Sequence, residues 1–259
     1  MQRITAIGLP LLPAQWEGEI HSVFHSSCNV RMDDGPLLTI HNFDFGMLPR
    51  SLYVPDLSAS GLKPGDRVKG DCSGVLLGNR FLKWAEQVDE ADTRIPRRET
   101  LPQTLDEAWC LLREKQQEAE REPLLQDIYR RLRKALERLW QALLANDRAC
   151  IQTQCMACIG LGQGLTPSGD DMLLGTLAAL HMYRPELAAL LGKEILPLTT
   201  RTNDISRSYL ELAVQGYAAT PVIRAAENLD GNIKTVEILL SVGHSSGFDI
   251  LEGIVTAVQ

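Results

Sequence analysis

The chain has 259 residues, of which 44% are hydrophobic and 23% are charged, a composition that excludes a wholly disordered protein. Its 33 acidic and 26 basic residues give a net charge of −7, so it lacks the basic balance of proteins that bind nucleic acids or anionic membrane surfaces. The longest apolar runs, such as 172–180, fall far short of the ~20 residues of a membrane span, and no export signal is recognisable. We therefore expect a cytoplasmic protein with no nucleic-acid or membrane partner.

Residues 1–95 are predicted to form a β-rich domain, because short runs of extended-type residues alternate with turn signals. Strands are predicted at 21–31 and 37–45, at the end of the segment 62–68, and in a hairpin centred on Gly78-Asn79 within 75–82. Strands of this length and spacing are typical of a small antiparallel barrel or sandwich.

Residues 89–103 are predicted to be a linker, since the segment is acidic and polar at first and then contains two prolines. Residues 103–259 follow as a helical domain, so the predicted fold class is α+β. Apolar spacing predicts one helix from Thr104 and a second over 124–149. Six more helices are predicted at 170–183, 186–196, 204–217, 220–229, 232–241 and 248–258.

The most unusual segment is 160–171, Gly-Leu-Gly-Gln-Gly-Leu-Thr-Pro-Ser-Gly-Asp-Asp. Its glycines let the backbone approach a ligand, and a helix that begins here would present unpaired N–H groups to a phosphate or carboxylate. The paired carboxylates could bind a metal, orient a cationic group or act as a base. In the alternative interpretation, the segment is only a tight turn with a helix cap. The candidate binding residues are Gly162, Gly164, Thr166, Ser168 and Gly169, and the candidate catalytic residues are Asp170 and Asp171.

A second loop repeats part of the first. Residues 168–175 and 246–253 share the pattern Ser-Gly-x-Asp-(Met/Ile)-Leu-x-Gly, and each lies where a loop should enter a helix. The two helix starts are therefore predicted to face one pocket. The second loop contributes the candidate binding residues Ser245, Ser246, Gly247 and Asp249 and the candidate catalytic residue His244, for which a surface histidine without a role is the alternative.

Two further segments carry side chains that could take part in chemistry. Arg201 lies among hydroxyl residues in 199–206 and is a candidate anion-binding and catalytic residue, although Asn203 or Asp204 could simply cap a helix there. Cys155 and Cys158 lack the second ligand pair of a zinc site, so they are predicted to be structural. We predict no metal site and no organic cofactor, with Mg²⁺ as the one candidate ion.

The strings Gly-Gln-Gly-Leu-Thr-Pro-Ser-Gly-Asp-Asp at 162–171 and Gly-His-Ser-Ser-Gly-Phe-Asp at 243–249 resemble a bacterial family formerly of unknown function. That family includes a small subunit of the oxamate carbamoyltransferase of anaerobic allantoin degradation. The β-rich start and helical remainder are also similar, so the resemblance covers most of the chain. It implies a multi-subunit enzyme that exchanges a carbamoyl group between oxalurate and carbamoyl phosphate.

Three hypotheses follow. In the first, the chain is a carbamoyltransferase subunit that acts on small anions together with partner subunits, a chemistry that depends mainly on orientation and charge stabilisation. In the second, it is a non-catalytic ligand-binding or assembly subunit of the same complex. In the third, it is a different, metal-dependent enzyme whose aspartates hold Mg²⁺ beside another anionic phosphate compound.

Overall fold

The computed structural model describes residues 2–10, 12–119 and 123–259. The chain divides into two compact units, Met1–Arg94 and Ile95–Gln259. Each unit buries its own hydrophobic core, the first among strands and the second among helices. The predicted α+β class is therefore confirmed.

The first unit is a closed barrel with strand order β1-β5-β4-β3-β2-β6-β7-β8. Buried and exposed residues alternate along β2 and β6, as expected for strands with one face in a core. The strands are β1 Arg3–Gly8, β2 Trp16–Val23, β3 Ser27–Met32, β4 Leu37–His41, β5 Ser51–Tyr53, β6 Arg67–Asp71, β7 Gly74–Leu77 and β8 Arg80–Ala91.

The barrel departs from the predicted antiparallel arrangement at two places, because β1 pairs with β8 and β4 pairs with β5 in parallel. The single strand predicted at 21–31 is also wrong: the chain turns where the Phe24 N–H donates to the Ser27 carbonyl at 2.8 Å, between β2 and β3. The hairpin around Gly78-Asn79 is confirmed, with Gly78 at φ +62° between β7 and β8.

The predicted linker begins too early, since β8 continues to Ala91. Asp89 and Glu90 are exposed, but their backbone pairs with Ala6 and Ile7 of β1. Polar composition hides such a strand from sequence analysis, because backbone hydrogen bonds rather than apolar side chains hold it in the barrel.

The second unit contains, within its described residues, nine α-helices and one 3₁₀ helix. The α-helices are α1 Asp106–Ala119, α2 Pro123–Leu144, α3 Arg148–Cys158, α4 Ser168–Tyr183, α5 Pro185–Ile195, α6 Asp204–Val214, α7 Thr220–Glu227, α8 Ile233–Leu240 and α9 Ser246–Ala257. The 3₁₀ helix is Leu196–Arg201. In the described part of the chain, no helix has the length and apolar character that crossing a membrane would require.

The six helices predicted after residue 168 are confirmed to within a few residues at each end. The single helix predicted over 124–149 is wrong, because α2 ends at Leu144 and α3 begins at Arg148. Asn146 adopts the left-handed conformation at φ +53°, which stops a helix, and the Asp147 side chain accepts from the Cys150 N–H at 3.0 Å and starts the next.

Helices α4 and α9 form the centre of the second unit. All residues of α4 except His181 and Tyr183 are buried, and only Ser246 and Thr256 of α9 are not. The two helices approach closely because each has a glycine where their backbones meet. A Cβ atom on Gly175 would lie 2.0 Å from the Ile250 carbonyl oxygen, and one on Gly253 would lie 2.0 Å from the Met172 carbonyl oxygen.

Candidate functional site

The two copies of the Ser-Gly-x-Asp motif occupy equivalent places in the second unit. Gly175 contacts Ile250 and Gly253 contacts Met172, so the same two motif positions meet in both directions. Such reciprocal contacts are what a local two-fold relationship between α4 and α9 produces. The sequence repeat therefore has a structural counterpart: it places the first turns of both helices side by side.

In each copy, a backbone carbonyl of another helix packs against the glycine in the first turn of the helix. A Cβ atom on Gly169 would lie 2.0 Å from the Cys158 carbonyl oxygen at the end of α3, and one on Gly247 would lie 1.9 Å from the Leu239 carbonyl oxygen in α8. Glycine is therefore required at both positions for the close packing of backbone on backbone.

Asp170 ties three segments together. Its carboxylate accepts hydrogen bonds from the Gly160 N–H at 2.8 Å, from the Ser206 hydroxyl at 2.7 Å and from the Thr202 hydroxyl. The side chain is 1% exposed. These contacts join the glycine-rich loop to the Thr-Arg-Thr segment and to α6, and they engage both carboxylate oxygens in holding the fold.

Asp171 faces the second loop instead. It accepts from the Thr166 hydroxyl at 2.9 Å, and the Thr166 oxygen lies 2.9 Å from the Ser246 hydroxyl oxygen. The Ser246 hydroxyl also stabilises the charged form of the Asp171 carboxyl. The structure thus brings both predicted loops to one place, which we call the acid–hydroxyl cluster and define as Thr166, Ser168, Asp171, Ser245, Ser246, Asp249 and Tyr129.

Asp249 is the most isolated member of this cluster. It is fully buried, at 0% exposure, and neither of its carboxylate oxygens has a hydrogen-bond partner. The hydroxyls of Ser168, Tyr129 and Ser245 lie beside it and partly stabilise its charge, but none is in hydrogen-bonding geometry.

The electrostatics of the cluster are dominated by burial. Burial, followed by the charge of Asp249, raises the pKa of Asp171 well above its ordinary value. Burial also raises the pKa of Asp249 to about 7, and the charge of Glu252 adds to this shift. Buried carboxyls whose charge is disfavoured in this way need a compensating positive charge, either a proton or a cation.

The start of α4 is not an open cradle of N–H groups. The Gly169 N–H donates to the Leu161 carbonyl at 2.9 Å, and the Asp170 and Asp171 N–H groups donate to the Pro167 carbonyl at 2.9 and 3.1 Å. These three N–H groups are therefore already bonded to backbone oxygens. An anion at this helix start, which stays a prediction, would have to rely on side-chain donors.

The other predicted residues are not members of the cluster and belong to the segments that precede α4, α6 and α9. Gly162 adopts φ +134° with the Ser168 N–H against it, whereas Gly164, at φ +89°, faces open space. Arg201 and His244 are exposed. Each stands next to a residue with a role in the site: Arg201 precedes Thr202, which bonds Asp170, and His244 precedes Ser245 of the cluster.

Asn203 is a helix cap, as the structural interpretation of this segment predicted. Its side-chain oxygen accepts from the Ile205 and Ser206 N–H groups at 3.1 Å, at the start of α6. Its amide also donates to the Leu165 carbonyl at 2.8 Å, which anchors the glycine-rich loop.

The cysteines give no sign of metal or redox chemistry. All six are free thiols, and Cys155 and Cys158 are buried in the helical core. Burial raises the pKa of both thiols, so neither is a thiolate at neutral pH. Over the described ranges, no group of three or more His, Cys, Asp or Glu side chains is placed to hold a metal ion.

A groove of about 370 Å³ opens beside the cluster, between α1, α2 and α9. Trp109, Arg133 and Glu252 line it, and Arg133 forms an ion pair with Glu252. Phe248 also lines the groove, and its ring meets the Tyr129 ring edge-on at 5.7 Å. Phe248 therefore connects the groove to Tyr129 of the cluster.

Three residues of this site were not predicted. Thr202 and Ser206 bond Asp170, and Tyr129 comes from α2, about 40 residues before the motif. The sequence identifies Thr202 and Ser206 only as hydroxyl residues around Arg201 and gives no signal that they contact Asp170. Tyr129 lies on the apolar side of its helix, where its spacing is that of an ordinary core residue.

The fold and the cluster define a class of protein: a β-barrel unit joined to a helical unit that presents two carboxyl groups at a duplicated helix start. The chain belongs to the AllH family. Residues 158–258 match the family described as oxamate carbamoyltransferase subunit AllH, and residues 6–93 match the AllH family N-terminal domain, so the resemblance drawn from the sequence is confirmed. No solved structure gives a significant match to the chain.

Proposed function

We propose that the chain works as one component of an enzyme that exchanges a carbamoyl group between oxalurate and carbamoyl phosphate, and that its acid–hydroxyl cluster belongs to the reaction site. The proposal rests above all on the contact of Thr166, Asp171 and Ser246, which joins both motif loops in a family described as a subunit of oxamate carbamoyltransferase. Partner subunits complete the enzyme in this account.

The proposed reaction demands little besides orientation and charge control. In the direction of oxalurate cleavage, a phosphate oxygen bonds to the carbamoyl carbon, the bond from that carbon to the oxamate nitrogen breaks, and the nitrogen takes up a proton. The reactants and products are all anions, so the site must hold like charges together. No electrons are transferred, and the reaction calls for no organic cofactor.

The cluster and the loops next to it supply side chains that could bind such anions. Thr166, Ser245 and Ser246 are half-buried hydroxyls, and Arg201 and His244 are exposed. A guanidinium pairs well with phosphate and carboxylate oxygens, and an imidazole can carry the proton that the oxamate nitrogen requires. Of the side chains predicted as catalytic, Arg201 and His244 are therefore assigned to substrate binding and proton transfer at the surface. Asp171 is the buried acid of the site.

Asp170 has a different role in this proposal. Its carboxylate already accepts three hydrogen bonds from Gly160, Thr202 and Ser206. We assign it to positioning the glycine-rich loop, and we leave the chemistry at the cluster to Asp171 and its neighbours.

Reconstitution of the enzyme from this chain and the other subunits tests the proposal. Phosphate-dependent cleavage of oxalurate is measured for the wild type, for Thr166→Val, which removes the hydroxyl that links Asp171 to Ser246, and for Thr153→Val. Thr153 is an exposed helical residue whose hydroxyl donates to the Ala149 carbonyl of its own helix at 2.9 Å, and it is the matched control. We expect activity to fall by roughly a hundredfold in Thr166→Val alone.

Two results would contradict the proposal. Full activity of Thr166→Val in a properly assembled complex would favour the non-catalytic assembly subunit. Full turnover by the purified chain without partners would show that the reaction does not need the complex.

A further inference from the structure

Asp249 presents a charge problem that the fold does not solve. Among the side chains that the structure describes, it is the carboxylate with both oxygens buried and neither hydrogen-bonded. A charged carboxylate that is buried without a partner strongly destabilises the folded state. Native structures leave such groups unpaired mainly where a water, an ion or a functional partner completes them.

The surroundings of Asp249 make a ligand of positive charge the natural partner. The charges with the largest effect on the pKa values of Asp171 and Asp249 belong to other carboxyls, namely Asp170, Glu252 and Asp249 itself. Glu252 already has Arg133 as its ion-pair partner, and Asp170 has three donors. Asp171 has hydroxyl donors only, and Asp249 has only the nearby hydroxyls of Ser168, Tyr129 and Ser245, none of them in hydrogen-bonding geometry.

We infer that the acid–hydroxyl cluster binds one divalent cation of the magnesium class, held between the carboxylates of Asp171 and Asp249. The observation that carries the inference is the fully buried and unpartnered carboxylate of Asp249 beside the second acid. The cation supplies the missing positive charge and gives both Asp249 oxygens a partner.

The available donors select the class of ion. The cluster offers carboxylate oxygens and neutral hydroxyl oxygens, which hard cations such as Mg²⁺, Mn²⁺ and Ca²⁺ prefer. Two carboxylates are fewer than a closed protein cage provides. Mg²⁺ is commonly bound in this way, because it keeps several waters and completes its shell with substrate phosphate oxygens.

The cation would also help to bind the anionic substrates of the reaction proposed above. This further role rests on the proposed function. A phosphate or carboxylate cannot approach two ionised aspartates without a positive charge between them. A bound cation would turn a repulsive cluster into one that attracts anions. Binding of the cation itself depends only on this chain, so it can be tested without the transferase reaction.

The test uses the purified full chain, treated with EDTA and then titrated with MgCl₂, MnCl₂ or CaCl₂ at pH 7.5. Isothermal titration calorimetry measures affinity, and thermal unfolding measures stabilisation. We expect one ion per chain and a rise in melting temperature, with affinity reduced roughly tenfold or more in Asp171→Asn and Asp249→Asn. Asp34→Asn, at an exposed turn of the barrel, is the control that keeps full affinity.

A second readout guards against variants that fold poorly. At pH 6, calorimetry in two buffers of different ionisation enthalpy should show a proton released as the ion enters the wild-type cluster. Ser246→Ala, which leaves both acids in place, should still bind the ion with weakened affinity. The inference is overturned if none of the three ions produces heat or stabilisation, or if Asp249→Asn binds them as the wild type does.

If the cation does not bind but oxalurate cleavage still depends on Thr166, the cluster functions with a proton alone. If the cation binds and the reconstituted enzyme is inactive, the ion site stands and the proposed reaction fails. The two outcomes are therefore distinguishable.

Discussion

The carbonyl oxygen of Ile250 lies 2.0 Å from the position that a Cβ atom would take on Gly175. Met172 and Gly253 repeat this relationship at the same distance in the opposite direction. The two helices can cross this closely only because both positions are glycine. Asp171 and Asp249 lie one turn nearer the helix starts, where burial and then the charge of Asp249 raise the pKa of Asp171.

Gly175→Ala should therefore destabilise the helical unit without touching a polar group. The added methyl must displace the backbone of α9, and overpacking of this kind costs about 1–3 kcal/mol. Urea unfolding followed by circular dichroism measures the loss. Gly231→Ala is the matched control, because a Cβ atom there would meet no atom within 4 Å. Equal stability of the two variants would contradict the close crossing.

Asp170 and Asp171 should respond differently to the same substitution. Asp170→Asn places an amide among three donors, and loss of hydrogen bonds to a charged group costs roughly 1.5–3 kcal/mol each. We expect a large drop in melting temperature for Asp170→Asn and a small one for Asp171→Asn. Activity of the reconstituted enzyme should fall for Asp171→Asn at temperatures where it remains folded. If Asp171→Asn lowered the melting temperature strongly and Asp170→Asn lowered mainly the activity, the structural role would belong to Asp171 and the role in activity to Asp170.

Asp249 should make the helical unit less stable as the pH rises. Its pKa in the folded chain is about 7, above the ordinary 3.8, so the folded state holds a proton that the unfolded state has lost between these values. The free energy of unfolding should fall across this window, by about 4 kcal/mol in EDTA. Hydrogen exchange of α4 and α9 at pH 5 and 8 measures it. Asp249→Asn should lose this slope, and a slope that persists would show that another group titrates.

His41 should give the barrel the opposite dependence. Burial lowers its pKa to about 4, and the neutral ring accepts from the Phe43 N–H and lies 3.2 Å from the Ser51 hydroxyl oxygen. The unfolded state binds the proton first, so stability is full above about pH 6.5 and declines toward pH 4, by on the order of 3 kcal/mol. Hydrogen exchange of β3 and β4 should show this decline.

The matched control for His41 is His25, which is exposed. His41→Gln should flatten the pH dependence of exchange in the barrel, and His25→Gln should leave it as in the wild type. If His25→Gln flattened the dependence equally, burial of His41 would not be its cause.

The second unit follows from local sequence patterns more closely than the first. Helices α4 to α9 carry apolar periodicity and clear starts, such as Asn203 before α6, and these are local signals. Strands β1 and β5 were not predicted, because they are defined by pairing with residues far along the chain. The same reason explains the end of β8, whose exposed acids pair through the backbone alone.

The candidate site divides in a similar way. Both Ser-Gly-x-Asp loops could be found from their repeat, and the repeat suggested that they face each other. The role of Gly169 could not, because the Cys158 carbonyl that fills the space beside it comes from another helix. Nor could the roles of Asp170 and Asp171 be distinguished from the sequence. Asp170 accepts from Thr202 and Ser206, whereas Asp171 accepts from Thr166.

The central claim is that the two loops form one site, and a double-mutant cycle in the reconstituted enzyme tests it most directly. Oxalurate cleavage is measured for Asp171→Asn, Asp249→Asn and the double variant, each at a temperature below its measured unfolding. Residues that act as a unit show non-additive losses. We predict that each single change lowers activity by roughly a hundredfold and that the double change lowers it little further. Unchanged activity in the single variants, or losses that simply multiply, would contradict a shared site.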